Sequence, residues 1–431
     1  MHSLMLYNVP QPGNKNAISY IEKKGIVSSF SRFPRRSRLS FGATAYMYQT
    51  KDRMNFVNEP RFKGKTFYHV TNPFEHVMST TQEKNDIQSY SKLYFGKTSL
   101  NIVSRAFYKM WEILMLFDPV PQGKLVSAHL AEAPGSFVQS LMFYREKFFK
   151  NTDTDEHYTI SIDEQDVPAF KKDFKRVYPK VKIYEQDGGD LTTRQSIIGF
   201  ERFSKKADFI TADGGFNWRN ENHQEQEAYR LILGEIISAF KIQKAGGTFV
   251  IKMFETYTDV TINMMYILCS AYSESYIFKP FTSRASNSEK YIVCKGFKGV
   301  SNKVIDSLLN LLEEMNDAES QSRFISTINI GSVPEEFINM FSYSAIDFTA
   351  KQFIAINKMV NFVESNEYYG SQYQQYLKEQ QDANDYWVQQ FYPIGQPNYK
   401  EVRKILQAFK ERSALEKQEQ FEIFNSSLFP N

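Results

Sequence analysis

Asp213 and Lys252 each close an apolar run of this 431-residue chain, Ala207-Asp-Phe-Ile-Thr-Ala212 and Gly247-Thr-Phe-Val-Ile251. An unpaired buried charge is expensive, so two opposite charges at equivalent strand ends are expected to face each other across a cleft. Glu289, in Ser283-Arg-Ala-Ser-Asn-Ser-Glu-Lys-Tyr291, and Lys109, in Ser104-Arg-Ala-Phe-Tyr-Lys109, would join them there. Strand-terminal Asp and Lys also form purely structural ion pairs, and residue types alone leave both readings open.

A second group suits a nucleotide-like ligand. Leu125-Val-Ser-Ala-His-Leu130 runs into Ala131-Glu132-Ala133-Pro134-Gly135-Ser136-Phe137 and then a helical pattern. A small turn with glycine lets a ligand approach the backbone, and the helix N-terminus favours an anionic group. Glu132 could meet an ammonium or hydroxyl group. Asp163, after Tyr158–Ile162, is placed to hold ribose hydroxyls. Asp190, in Gln186-Asp-Gly-Gly-Asp-Leu191, could accept from the exocyclic amine of an adenine. Each has a plain alternative as a turn or helix-cap residue.

The elements that must position these residues lie between about Lys124 and Gly299. Apolar runs at Leu125–Leu130, Tyr158–Ile162, Val181–Tyr184, Ala207–Thr211, Thr248–Ile251 and Tyr291–Cys294 alternate with helical segments at Gly135–Phe149, Val167–Val177, Gln224–Gln243 and Asp259–Ser270. Alternation of this kind predicts a mostly parallel sheet with helices on both faces, its ligands beyond the carboxyl ends of the strands. Ahead of it, Ser99 could cap a helix through Val103, Phe107, Trp111 and Leu114, ending before Pro119. Residues 1–88 read as a basic region of short strands and loops, 89–299 as the α/β domain, and 300–431 as a helical C-terminal extension. Within that extension the spacing predicts helices over Asn302–Met315, Pro334–Met340, Ile346–Ser365 and Tyr399–Phe424, with Gln372–Gln390 either helix or surface excursion.

Composition excludes other classes. Hydrophobic residues make up 42% and aromatics 15%, which rules out wholesale disorder. No apolar run reaches the roughly 18 residues that span a bilayer, so no membrane role is expected. The first residues lack a secretory signal pattern. Two cysteines give neither a disulfide framework nor a thiolate zinc site, and no metal-ligand spacing is visible. A reducing compartment follows. Residues 1–70 carry 12 Lys/Arg against 3 Asp/Glu, whereas 361–431 carry 7 against 10. A basic front end suggests a polyanion, usually nucleic acid, or a solvated basic loop.

Taken in chain order, these motifs carry a resemblance. The sequence resembles the FtsJ-like (RrmJ-type) RNA 2′-O-ribose methyltransferases that use S-adenosylmethionine, and is most similar to the mRNA-cap branch, including versions from large DNA viruses. That family is marked by a Lys-Asp-Lys-Glu tetrad, matched here by Lys109, Asp213, Lys252 and Glu289. Its cofactor loop is matched by Glu132-Ala133-Pro134-Gly135-Ser136-Phe137, and its adenine-contacting acid by Asp190. A second glycine of the loop is replaced by Ser136, which suits a helix cap; Asp163 aligns only loosely. The match covers about residues 100–298.

The resemblance implies a Rossmann-like methyltransferase fold and methylation of the first transcribed nucleotide of capped mRNA. Internal or ribosomal RNA methylation, or a non-catalytic RNA-binding or virion component, are the alternatives. A cytoplasmic setting is implied, with viral factory or virion for a viral chain. A lysine acts as base only when desolvation or neighbouring cations lower its pKa. Lys252 would take that role, or act as an electrostatic stabiliser, while Lys109 stabilises the developing alkoxide and Asp213 and Glu289 orient the lysines. RNA contacts are expected at Arg284 and Lys290, which flank Glu289, and at Arg35 and Arg36 in the basic N-terminal cluster. The extension would offer scaffold or a partner-protein surface.

Overall fold

The structure, a computed structural model, describes residues 4–34, 41–57, 59–62, 67–75, 102–164, 168–215, 219–391 and 399–428. In chain order its first elements are β1 (Met5–Asn8), α1 (Ala17–Lys24), β2 (Val27–Ser31) and α2 (Phe41–Val57). The central part follows as α3 (Ala106–Phe117), β3 (Val126–Leu130), α4 (Ser136–Phe148), β4 (Glu156–Ile160), α5 (Phe174–Val177), β5 (Val181–Tyr184), α6 (Arg194–Phe203), β6 (Ala207–Ala212), α7 (Gln224–Ile242), β7 (Gln243–Met253), α8 (Asp259–Ser270), β8 (Tyr272–Lys279) and β9 (Lys290–Phe297). The last elements are α9 (Asn302–Ser320), β10 (Phe324–Asn329), α10 (Glu335–Ser365), α11 (Gly370–Phe391) and α12 (Tyr399–Leu428).

Eight strands form one sheet in the order β1-β8-β9-β7-β6-β3-β4-β5. The strands β5, β4, β3, β6 and β7 run parallel; β9 inserts antiparallel beside β7, and β8 and β1 complete the edge. The chain order reverses at β3, between β4 and β6, so the carboxyl ends of β3 and β6 flank the crevice where ligands settle in such sheets.

Period-two alternation splits the strands between two cores. Ala128, Leu130, Ile210, Ile251 and Ile292 pack on one face with helices α7, α8 and α9. Phe209, Val250, Tyr291 and Val293 pack on the other with α3, α4, α11 and α12. Helix α3 stops where Asp118 turns left-handed at φ 45°, immediately before Pro119. Thr193 and Thr258 cap α6 and α8 by accepting from Ser196 N and Thr261 N.

Several elements differ from the sequence expectation. The N-terminal region holds a 17-residue helix, α2, in place of short strands and loops. Its buried stripe Met47, Thr50, Lys51 and Val57 has helical spacing, but half of it is polar, which hid the periodicity. Strand β8 escaped detection because it opens with Tyr272-Ser-Glu-Ser275 before its apolar end. The helix ahead of the sheet starts at Ala106, where Ser104 Oγ accepts from Ala106 N; Val103 N–H instead donates to Gln139 Oε1. Ser99 lies outside the described residues. Of the segment expected as Val167–Val177, the described residues are helical only over Phe174–Val177, and Phe170 and Phe174 fold over the bend at Gly135. Two helices expected in the extension merge into α10, there being no Gly or Pro between them, and Gln372–Gln390 lies within a helix.

The ends of the chain close on the centre. β1 joins the main sheet, β2 pairs with β10, and α2 packs on α10. The expected boundary at residue 88 lies outside the described residues. Among the described residues no helix is long and apolar enough to cross a membrane.

Candidate active site

The four charges converge. Lys109, one turn into α3, places Nζ 2.7 and 2.9 Å from the two carboxylate oxygens of Glu289, the residue just before β9. Lys252, near the end of β7, sits 3.1 Å from Asp213 Oδ1 and donates to the Asp213 carbonyl at 2.9 Å. Asp213 directly follows β6, and its own N–H bonds back to Leu130 O at the end of β3. β9 runs antiparallel to β7 with Tyr291 opposite Lys252, so the start of β9 lies at the same edge as the end of β7. Register therefore brings Glu289 to Lys252. Side-chain exposures of 11% to 19% leave the cluster mostly buried but within reach of solvent.

Three groups that sequence reasoning passed over complete the cluster. Tyr291 donates its hydroxyl to Asp213 Oδ1 at 3.1 Å. Glu235, on α7, accepts from Gly214 N at 3.2 Å, while its second oxygen is buried without a partner among the described residues. Lys279, closing β8, donates to Asn287 Oδ1 at 2.8 Å and also to Ser283 Oγ and the carbonyls of Asn287 and Glu289. The signal for Lys279 was the one that found Lys252, a charge closing an apolar run; without β8 it went unread.

Burial and charge oppose each other here. Burial pulls the Lys252 ammonium down, but Asp213, Glu289 and Glu235 outweigh it and hold its pKa above the ordinary value. Lys252 is therefore protonated before any ligand enters, contrary to the lowered value a resting base needs. Burial alone would raise Glu289, yet Lys109, Lys252 and Lys279 bring it down to about 2. Burial raises Glu235 to about 8, only partly offset by Lys252, and lowers Lys279 to about 7. A carboxyl whose folded pKa lies below its ordinary 4.5 stabilises the fold above that pH and loses the contribution as pH falls toward 2. The thermal midpoint of Glu289→Gln should thus fall less than wild type's between about pH 4.5 and pH 2; parallel curves would remove this charge assignment.

The glycine bend lies beside the cluster at the end of β3. Gly135 holds φ at +106°, and a Cβ there would lie 2.4 Å from the Phe174 ring, so only glycine fits without displacing it. Ala133 N donates to Ser161 Oγ, and Ser136 Oγ meets Ser104 Oγ at 2.7 Å. Ser136 is the first helical residue and does not cap α4. That task falls to Glu132, which is buried and accepts from Val138 N at 2.9 Å and from Phe137 N. Glu132 thus faces its own helix rather than a ligand ammonium, and burial drives its carboxyl well above the ordinary range. The helix N-terminus is answered by the chain's own carboxyl.

Asp163 is exposed beyond the end of β4, its carboxylate without a partner among the described residues. Its N–H bonds to Gly188 O, tying it to the next turn, where a Cβ on Gly189 would strike Ser161 O. Asp190 is half-buried and accepts from Thr192 N and Oγ1. The ends of β3, β4 and β5 thus present a bend of small residues and two carboxylates that reach solvent, acceptors suited to the hydroxyl and amine groups of a nucleoside.

The expected RNA contacts fare unevenly. Lys290 is 2% exposed and donates to the carbonyls of Phe254 and Ser288. It is a core lysine and not an RNA contact, because its place in β9 points it away from the open edge. Arg284 lies 3.6 Å over the Tyr68 ring and grips both Glu75 oxygens, leaving one-third of its side chain exposed. Arg35 and Arg36 lie outside the described residues.

Residues 102–297 match the family model of FtsJ-like methyltransferases. The match runs from just before α3 to the end of β9. The chain is 28% identical over 339 residues to the cap-specific mRNA (nucleoside-2′-O-)-methyltransferase 2 of Pongo abelii, covering 74% of this chain and 42% of that protein. It is 31% identical over 186 residues to the methyltransferase 1 of the same description from Homo sapiens, covering 41% of this chain and 22% of the relative. The chain thus spans less than half the length of either relative. A solved Plasmodium falciparum protein described as a ribosomal RNA methyltransferase aligns with 46% of this chain and 98% of its own, at 22% identity and a TM-score of 0.35.

Proposed function

We propose that this chain transfers a methyl group from S-adenosylmethionine to a ribose 2′-hydroxyl of RNA, its target being the first transcribed nucleotide of capped mRNA. One observation carries the proposal: two amines and two carboxyls, distant in sequence, meet at the carboxyl edge of the sheet beside the Pro134–Gly135 bend. The activity named for both relatives, cap-specific mRNA 2′-O-methylation, supports the choice of hydroxyl and of capped RNA.

The residues at the strand ends fit the cofactor. Asp163 offers a carboxylate, unpartnered among the described residues, for ribose hydroxyls, and Asp190 an acceptor for an exocyclic amine, while the Phe174 and Phe170 rings close over Gly135. When bound, S-adenosylmethionine supplies an electrophilic methyl group. The 2′-hydroxyl, a poor nucleophile, would be held at Lys252 Nζ. As an ammonium fixed by Asp213, Lys252 would donate to the hydroxyl oxygen and stabilise the negative charge that grows there as the hydroxyl proton leaves to solvent, the new O–CH3 bond replacing the S–CH3 bond of the cofactor. Its raised pKa favours this stabilising role over that of resting base. Lys109 adds a second positive charge, and Glu289 holds it in place. Pre-fixed charges of this kind need no reorganisation as the bond forms.

RNA would enter over the open side of the cluster, with the N-terminal basic region as its border. A protein partner on the helical extension belongs to the same proposal, supported by the exposed aliphatics Ile405, Leu415 and Ile423 on α12. The deciding assay offers labelled cofactor to capped and uncapped transcripts of one sequence. Label should appear on the capped RNA, at a 2′-oxygen next to the cap, where it blocks alkaline cleavage. Equal labelling of both transcripts would mean an internal target. No labelling together with no cofactor binding by calorimetry would leave an RNA-binding protein that keeps the fold.

A further inference from the structure

Glu112 lies one turn beyond Lys109 on α3 and is fully buried. A carboxylate in such a place needs donors, and four converge on it. Its Oε2 accepts from Phe281 N at 2.7 Å, and its Oε1 from Thr282 N at 3.0 Å, Thr282 Oγ1 at 2.7 Å and Trp387 Nε1 at 3.1 Å. Phe281 and Thr282 begin the loop that ends in Glu289. Trp387 belongs to α11, in the C-terminal extension. One side chain therefore ties together the helix that carries Lys109, the loop that carries Glu289, and a helix outside the FtsJ-like region.

The extension grips α3 along its length. The Trp387 ring stands edge-on to Tyr108 at 5.5 Å. Trp111 donates its indole N–H to Phe391 O, and Arg403 on α12 reaches Met115 O and, at 3.5 Å, Asp118. At the far end of the loop Lys279 fixes Ser283, Asn287 and Glu289 by four bonds. The loop is thus held from both ends by buried charges, and the extension supplies one of the four donors at the first.

We propose that Glu112 is a positioning residue for the Lys109–Glu289 pair, and that Trp387 makes the C-terminal extension part of its support. The inference rests on the catalytic reading of that pair but is read independently of activity. Mispositioning by about 1 Å can cost around 10²-fold in rate, which sets the expected scale.

The test uses the full chain with Glu112→Gln, which turns an acceptor into a donor, and the milder Trp387→Phe, which removes one donor and keeps the packing. Crystal structures of both should show the Lys109–Glu289 contact lengthened beyond 4 Å, whether or not the chain transfers methyl groups. On capped RNA, kcat should fall about 10²-fold for Glu112→Gln and about tenfold for Trp387→Phe, with KM for RNA and affinity for S-adenosylhomocysteine within twofold of wild type. Should Glu112→Gln not fold, Trp387→Phe alone decides. A folded variant with the Lys109–Glu289 contact intact overturns the inference, as does kcat unchanged or KM rising in step. Wild type inactive on RNA would instead count against the proposed function, and the variant geometries would still decide this one.

Discussion

Lys252→Ala is expected to lose about 10²–10³-fold of methyl transfer while binding cofactor and folding as before. Lys252 Nζ lies within hydrogen-bond reach of both Asp213 Oδ1 and the Asp213 carbonyl, near the end of β7. Removing it takes away the donor that meets the developing alkoxide. Asp213→Ala should lose activity to the same order, because Lys252 then loses its charge partner and keeps only the backbone carbonyl to orient it. The Tyr291 hydroxyl also loses its acceptor. Labelled-methyl transfer to capped RNA, with cofactor affinity measured alongside, gives the answer. Undiminished turnover in Lys252→Ala would reject the mechanism outright. Rate against pH refines it, since an ammonium acting as donor keeps activity until Lys252 itself deprotonates, above its ordinary 10.5. A resting base would instead gain activity as it loses its proton.

The largest loss of stability should come from Asp155→Ala, roughly 3–5 kcal/mol. Arg145 is 1% exposed and forms a two-pronged pair with Asp155, Nε to Oδ2 at 2.8 Å and an Nη to Oδ1 at 3.0 Å. Its remaining N–H groups go to the carbonyls of Pro121 and Gly123. Asp155 Oδ1 also accepts from Leu125 N, at the entry to β3. Deleting the carboxylate strands a buried guanidinium and frees the start of the strand that leads to the glycine bend. Urea unfolding of wild type and variant would measure the loss, and a difference under 1 kcal/mol would show that Arg145 finds another partner. Asp155 lies far from the tetrad along β3 and β4, so residual activity at low temperature should remain.

Much of the site was legible because it follows from strand ends. Asp213 and Lys252 were found as charges closing apolar runs, and period-two burial plus parallel pairing explains why they meet. Lys290 was misjudged for a related reason. It neighbours Glu289, but side chains alternate faces along a strand, and one step turned it into the core. Glu132 looked like a ligand contact because its place after β3 is right. Only the fold of the bend shows that α4 claims its carboxyl.

Local pattern, then, settled most strands of the central sheet and the charges that end them, though not β8, Lys279 or α2, because periodicity and burial act over a few residues. Tertiary structure alone decided the protonation of Lys252, the service of Glu132 as a cap, and the hold of α11 on the helix of Lys109. These depend on groups far apart along the chain, whose summed fields and hydrogen bonds exist only once the sheet has closed around them.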